Sequence, residues 1–344
     1  MLGSMDPIAF TRQLVDIEST TGHEAAVGSF LLQELQTLGF AVQKMPVPFP
    51  PDTASEGRER FNVYAYAGSR PEVVFSTHMD TVPPFIPSSE DGKRVYGRGS
   101  CDAKGIMAAQ IAAALQLRRE GRQVGLLYVV GEESDSLGAL VANNQAPQPP
   151  PLYLINGEPT GNRLAIASKG SLRVQLTASG RMAHSAYPEL GESAIEKLLD
   201  ALQRLRAMPL PSAPVVGPAT LNIGTVEGGR APNVVPDFAR AHLQYRLVGP
   251  SSALRQEIQK AVSGLAEAEF VLEIPFVKLK AIAGLPTMVA AFTTDIPGLS
   301  HWGEPLLIGP GSIHVAHTDG ECIEKSELTQ AVELYCRIAQ DLAR

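Results

Sequence analysis

Cysteine is scarce in this chain. Its 344 residues include three, Cys101, Cys322 and Cys336, an odd number without close paired spacing, which speaks against a disulfide framework and agrees with a reducing compartment. Long apolar runs are missing as well. No stretch approaches the roughly 18 to 20 uninterrupted apolar residues of a membrane-spanning helix, and the N-terminus shows no basic-then-apolar leader pattern, so a cytoplasmic protein without a membrane partner is expected. Basic clusters are also absent. Against 36 acidic residues stand 29 Lys and Arg, a formal charge of -7, and without a cationic run nucleic acid and anionic membranes are poor partners. Phosphate loops are lacking too, because the spacing of Gly97, Gly99 and Gly105 fits neither G-x-G-x-x-G nor G-x-x-x-x-G-K-[ST]. What remains, 44% hydrophobic and 19% charged, is an ordinary globular composition in a chain long enough for two domains.

Helical periodicity in "DPIAFTRQLVDI", "HEAAVGSFLLQELQTLGF" and "KGIMAAQIAAALQLRREG" alternates with the apolar strands "EVVFSTH", "QVGLLYVVG" and "PLYLINGE". That alternation predicts an α/β fold with a mixed, largely parallel sheet flanked by helices. From about Ser168 the order becomes strand "SLRVQLTAS", helix "ESAIEKLLDALQRLRAM", strands "TLNIGTVEG" and "ARAHLQYRL", helix "SALRQEIQKAVSGLAE" and strand "EFVLEIPF". This β-α-β-β-α-β series is ferredoxin-like. The chain thus divides into a discontinuous domain, 1–167 and 281–344, and an inserted domain, 168–280. "MVAAFTTD" and "PLLIGPGS" return to buried-strand character, and "KSELTQAVELYCRIAQDLA" closes the chain as an amphipathic helix.

Chemistry-bearing residues collect where the strands stop. His78 and Asp80, two apart at a strand end, share a face; they suit a metal ligand with its orienting partner, or a hydrogen-bonded loop pair. Asp102 lies between a glycine-rich turn and a helix, where it could cap that helix. Glu132 and Glu133 end an apolar strand, an arrangement that is costly unless cations or solvent meet the charges. Glu158 follows the next strand, and His314 and His317 follow the last. Ligands of open α/β sheets gather at the carboxyl ends of strands, so these distant residues can converge. Two histidines and several carboxylates without cysteine fit a two-metal hydrolytic centre. His78, Asp102, Glu133, Glu158 and His317 supply enough ligands for two ions if Asp102 bridges.

The ordered series "HMDTVP", "GRGSCDAKG", "GEES", "GEPT", "SKGSLRVQLTASGRMAHSAYP", "GGRAPNVVPD" and "GPGSIHVAHTDGE" spans nearly the whole chain. It resembles the co-catalytic zinc amidohydrolases that include acetylornithine deacetylase, succinyl-diaminopimelate desuccinylase, aminoacylase and glutamate carboxypeptidase. The resemblance implies a zinc-exopeptidase-like catalytic domain, an inserted lid and dimerisation domain, and two Zn2+ per subunit, with Co2+ or Mn2+ as alternatives. His78, Asp102 and Glu158 would hold one ion, and Asp102, Glu133 and His317 the other. Asp80 would orient His78, Glu132 would be the general base, and the Asp102–Ala103 peptide would be cis. His184 matches the position that stabilises the oxyanion, in a homodimer from the partner subunit. Asn233 and Arg246 match substrate-holding positions, Arg246 gripping a carboxylate, and the backbone of Gly309, Pro310 and Gly311 would line the same pocket.

One departure stands out: Gln244 occupies a place usually held by Asp. His314 lies outside the matched ligand set, and His23, His242 and His301 carry no motif role. The implied reaction is hydrolysis of an amide on a small N-acyl amino acid. The chain looks closest to acetylornithine, acetylcitrulline or acetyl-lysine deacetylases of arginine or lysine biosynthesis, including relatives that release lysine from a carrier. A carboxypeptidase or dipeptidase is the alternative. A non-catalytic metal-binding homologue is a second one, against which the presence of Glu132 argues, since a binding module has no need of a base.

Overall fold

Val73–His78 and Val124–Val129 are buried along their whole length, as strands covered on both faces by helices must be. They lie parallel, with His78 opposite Val129. Tyr153–Asn156 pairs parallel on the other side of the first strand, and Glu304–Leu307 pairs parallel with Tyr153–Asn156. Outside this parallel centre the pairing turns antiparallel: Phe61–Tyr66 joins Val124–Val129, Ala41–Pro46 joins Phe61–Tyr66, and Leu164–Ser168 meets Glu304–Leu307. The fold is therefore mixed α/β around a largely parallel central sheet. The structure, a computed structural model, describes residues 5–342 except 52, 54 and 56; the opening MLGS lies outside them.

Contacts divide the chain into two units. The first comprises Met1–Ile166, Leu279–Met288 and Thr294–Arg344; the second comprises Ala167–Lys278 and Val289–Thr293. In the first unit, helix Lys104–Arg119 is rich in Ala and buries most of its residues. Its small side chains let helices Pro7–Val15 and Lys325–Leu342 pack closely on it. Asp6 starts Pro7–Val15 by accepting from the Ile8 amide at 2.9 Å, with Pro7 set at the first turn. Leu14, Leu31, Phe75, Leu126 and Ile155 are fully buried in the main core, each contributing about 1.5 to 3 kcal/mol by leaving water.

The second unit has strand order Thr220–Gly228, Phe238–Leu247, Gly170–Ser179, Glu267–Ile274, all antiparallel. Leu172, Val174, Leu176 and Ala178 alternate inward, where helices Ala194–Ala207 and Ser252–Val262 supply Leu198, Leu202 and Ile258. Two sequence expectations are refined. "MVAAFTTD" forms only the short strand Thr287–Ala290, and "PLLIGPGS" only Glu304–Leu307 before the chain turns into a loop. Among the described residues no helix is long and apolar enough to cross a membrane.

Candidate metal centre

Three adjacent parallel strands stop at one edge of the central sheet, and each delivers an acid or a histidine there. Val73–His78 ends on His78 itself, Val124–Val129 runs out through Gly131 to Glu132 and Glu133, and Tyr153–Asn156 through Gly157 to Glu158. Asp102 arrives from the turn ahead of Lys104–Arg119. It does not cap that helix: Ala103 holds the cap position, without a side-chain bond, and the Asp102–Ala103 peptide is cis. His317 arrives from the loop after Glu304–Leu307, with φ +64°.

These side chains form two groups, His78 with Asp102 and Glu158, and Asp102 with Glu133 and His317. Within each group one donor atom per residue lies within 4.8 Å of the others. Asp102 presents Oδ1 to His78 Nε2 at 3.1 Å and Oδ2 to His317 Nε2 at 3.4 Å. His317 Nε2 also lies 2.9 Å from Glu133 Oε1. One carboxylate thus faces both histidines with different oxygens, as a bridging ligand would. Glu158 Oε1 is buried without a hydrogen-bond partner among the described residues. A buried acceptor left unmet is expensive, and a cation would satisfy it. The nitrogen and carboxylate donor set without sulfur suits zinc, cobalt or manganese, so the residues fit a pair of divalent cations.

The electrostatics point the same way. Burial, and next the Glu158 carboxylate, push Glu132 well above the ordinary range; burial, with Asp102 and Asp295 nearby, does the same to Glu158. Burial works against protonation of His78, yet Asp102 and Asp80 raise it well above a usual imidazole. Asp102 and Glu133 lift His317 to about 10. Burial disfavours the Asp102 anion, but hydrogen bonds from His317 and His78 hold it below its usual value. The carboxylates around these imidazoles favour their protonated forms, and bound cations would supply that counter-charge and displace the protons.

Asp80 meets both His78 and the loop that carries Glu132 and Glu133. His78 Nδ1 donates to the backbone carbonyl of Asp80 at 2.9 Å, while the Asp80 carboxylate lies 3.5 Å away. That carboxylate also accepts the Glu132 amide on Oδ1 and the Glu133 amide on Oδ2, each at 3.2 Å, and the Thr21 hydroxyl at 2.8 Å. Two residues past His78 the chain has already turned, so the backbone reaches the imidazole and the side chain reaches the neighbouring loop. The same loop is held from beneath by buried Arg60, 3.0 Å from Asp135 and 3.4 Å from Glu24. Gly131 has φ +81°, and a Cβ there would fall 2.2 Å from Arg60 Nη2, so only glycine fits.

Gly309 and Gly311 are tied to neighbouring segments through their amides. The Gly309 amide donates to Thr160 Oγ1 at 3.0 Å and the Gly311 amide to Glu327 Oε2 at 2.8 Å. Both are buried, and Pro310 between them has no amide hydrogen. These residues brace the Glu158 loop, whose Thr160 and Gly161 amides donate to the Gly309 and Gly311 carbonyls. His314 is exposed and belongs to neither group, and His23, His242 and His301 are exposed.

The remaining candidates belong to the second unit. His184 pairs with Val234 in a two-residue ladder, and the Ser185 amide donates to the Asn233 carbonyl at 3.0 Å. His184 and Asn233, 49 positions apart in sequence, are therefore neighbours. His184 Nδ1 accepts the Ala186 amide at 3.1 Å, so Nε2 is the ring nitrogen left to donate. Arg246 lies on the outward face of Phe238–Leu247, half-buried, with Gln244 beside it and Arg173 opposite Gln244. Burial and then Arg173 lower its affinity for its proton. The residues that the sequence did not single out are Thr21, Arg60, Arg98 and Glu321. Arg98 sits between two glycines in "GRGSC", and Glu321 ends "HTDGE", the signals that could have marked them.

Together, a largely parallel α/β sheet and two carboxylate–histidine groups sharing Asp102 define a metal-dependent hydrolase. The chain belongs to peptidase family M20/M25/M40, a metal-dependent peptidase family, whose sequence profile matches residues 74–341. A probable carboxypeptidase of Aspergillus terreus is 38% identical over 371 residues, covering 97% of this chain and 86% of that protein. Among solved structures, aminopeptidase PepT of Bacillus cereus matches with TM-score 0.79 at 22% identity over 100% of both chains. The metallo-carboxypeptidase Sso-CP2 of Sulfolobus solfataricus matches with TM-score 0.72 at 16% identity, covering 97% of this chain and 98% of that one. At such identities the structural likeness speaks for the fold alone.

Proposed function

We propose that the chain hydrolyses an amide whose nitrogen belongs to an amino acid with a free carboxylate, the bond shared by C-terminal peptides and N-acyl amino acids. The observation that carries this reading is Asp102 turning one oxygen to each histidine. Two divalent cations, zinc foremost, would be held by His78, Asp102 and Glu158 and by Asp102, Glu133 and His317, supplying Lewis acidity to the carbonyl and making a water more acidic. Glu132, placed by its amide on Asp80, accepts a proton from the attacking water and returns it to the departing amine nitrogen as the C–N bond breaks. His184 Nε2–H is the donor for the developing oxyanion. Asn233 positions the substrate, and Arg246, whose guanidinium has no ion pair or hydrogen bond among the described residues, takes its carboxylate in a forked grip.

The 38% identical probable carboxypeptidase favours a peptide as the acyl half. The acetyl group of the deacetylase reading remains the second candidate, supported by the short chain and by "GPGSIHVAHTDGE". Release of amino acid from a panel of C-terminal dipeptides and N-acetyl amino acids, after chelation and reloading with zinc, cobalt or manganese, separates the two. Amidated substrates should fail in either case, because they offer Arg246 no carboxylate. Equal turnover of free and amidated forms would refute the assigned grip.

The second unit is further proposed as a lid and homodimerisation domain that brings His184 to the active site of a partner copy. Mixing Glu132→Ala and His184→Ala chains, each inactive alone, should restore one working site per hybrid dimer. If the subunits exchange and activity stays absent, His184 does not act across the dimer.

A further inference from the structure

One buried ion pair ties together three of the segments that carry the candidate ligands. Glu321 is 1% and Arg98 2% exposed, and Arg98 Nη1 donates to Glu321 Oε2 at 2.7 Å. The other carboxylate oxygen, Oε1, accepts three backbone amides: Gly99 at 2.9 Å, Cys101 at 3.1 Å and Asp102 at 3.0 Å. A single charged acceptor thus gathers the loop 99–102, and one of its donors is the backbone of the shared residue, Asp102. Arg98 reaches outward from the same point. Its Nε donates to the Pro84 carbonyl at 3.3 Å, in the turn after Asp80, and its Nη1 to the Thr318 carbonyl at 3.2 Å, next to His317. The loop has no slack, since a Cβ at Gly99 would meet Thr81 Cγ2 at 2.9 Å.

A buried pair is a poor source of net stability, because desolvating two charges offsets much of their attraction. What this pair supplies is placement. Its hydrogen bonds fix the backbone of Asp102 and the carbonyl beside His317 relative to one another, and those two residues must face the same cation. We propose that Arg98 and Glu321 are positioning residues that set Asp102 against His317, and so determine the affinity and geometry of the two-cation centre without touching either cation. This rests on the two-cation reading given above.

The test uses the full chain, stripped by chelation and titrated with Co2+, followed by calorimetry and by the visible absorption of the bound ion. The native chain should take two Co2+. Glu321→Gln keeps the shape but loses the charge and turns an amide donor toward Arg98. Loss of an outer partner costs about 10 to 100-fold in metal affinity, and that loss is expected here, greatest for the second ion, with an altered Co2+ spectrum because Asp102 and His317 no longer hold their geometry. Adding Arg98→Gln removes the donor–donor conflict and should recover part of both. A folded Glu321→Gln chain with native affinity and spectrum, whatever its melting temperature, would overturn the proposal by showing that the pair only stabilises the fold. Should Glu321→Gln not fold, Arg98→Lys carries the same test. It keeps the charge but cannot span Pro84 and Thr318, so a native spectrum there also overturns the proposal. A native chain that fails to bind two Co2+ would instead sink the two-cation reading itself.

Discussion

Replacing Asp80 by Asn separates two accounts of how this residue acts. Asp80 is fully buried, and its two oxygens hold the Glu132 and Glu133 amides. Asn offers one acceptor and one donor, so one of those amides must face an NH2 group. A buried N–H left unmet costs about 1 to 3 kcal/mol, and the other bond loses the extra strength of an ionised acceptor. The loop relaxes to relieve this, and a shift of about 1 Å in a catalytic group is enough to cost roughly 10²-fold in rate. His78 keeps its bond to the Asp80 carbonyl, which substitution does not touch. The expected outcome is a large fall in kcat, little change in KM, and near-native affinity at the His78, Asp102 and Glu158 group. Steady-state kinetics beside a Co2+ titration reads both quantities. A variant with normal kcat but about 10-fold weaker metal binding at that group would refute the reasoning and return Asp80 to an orienter of His78.

Glu132→Ala should abolish turnover and leave metal content near native, because this side chain belongs to neither ligand group; loss of both ions from a folded variant, read by elemental analysis, would contradict that. The pH dependence of the cation-free chain follows from His317, raised from 6.5 to about 10. A raised folded value gives a stabilising contribution that is complete below pH 6.5 and lost as pH climbs through about 10. Urea midpoints of the chelated chain should therefore fall across that window while those of the loaded chain do not follow, its imidazole being already neutral. Gly131→Ala forces a side chain into the left-handed region and against Arg60, and should destabilise by roughly 2 to 5 kcal/mol in a denaturant melt; a loss under about 0.5 kcal/mol, ordinary for a neutral surface change, would show that the loop yields.

Much of this was legible in the sequence because it is written in local pattern. Apolar runs that stop at His78, Glu132 and Glu158 are strands that deliver side chains to one sheet edge, and the period-2 alternation of Leu172, Val174 and Leu176 sets out the second sheet. What escaped depends on partners far apart in sequence. Nothing in the spacing says that Glu321 closes on Gly99, or that the Asp80 carboxylate also holds the loop of Glu132. Nor does the spacing say that the Gly309 and Gly311 amides turn to Thr160 and Glu327, a choice made by packing. At helix Leu137–Asn144 the start signal "SDS" works one residue early: Ser136, at φ +51°, makes no capping bond, and the Leu137 amide donates to Asp135 Oδ1 at 2.8 Å.

The central claim is that Asp102 joins two cation sites. Its most direct test is the metal stoichiometry of the purified chain, native and Asp102→Ala, by calorimetric titration with Zn2+ or Co2+ after chelation. Two ions per native chain are expected. Removing Asp102 strips one ligand from each group at once, so affinity at both sites should collapse together and hydrolysis with it. If the Asp102→Ala chain still binds one ion with native affinity and loses only the other, Asp102 serves a single site and the bridged centre is wrong.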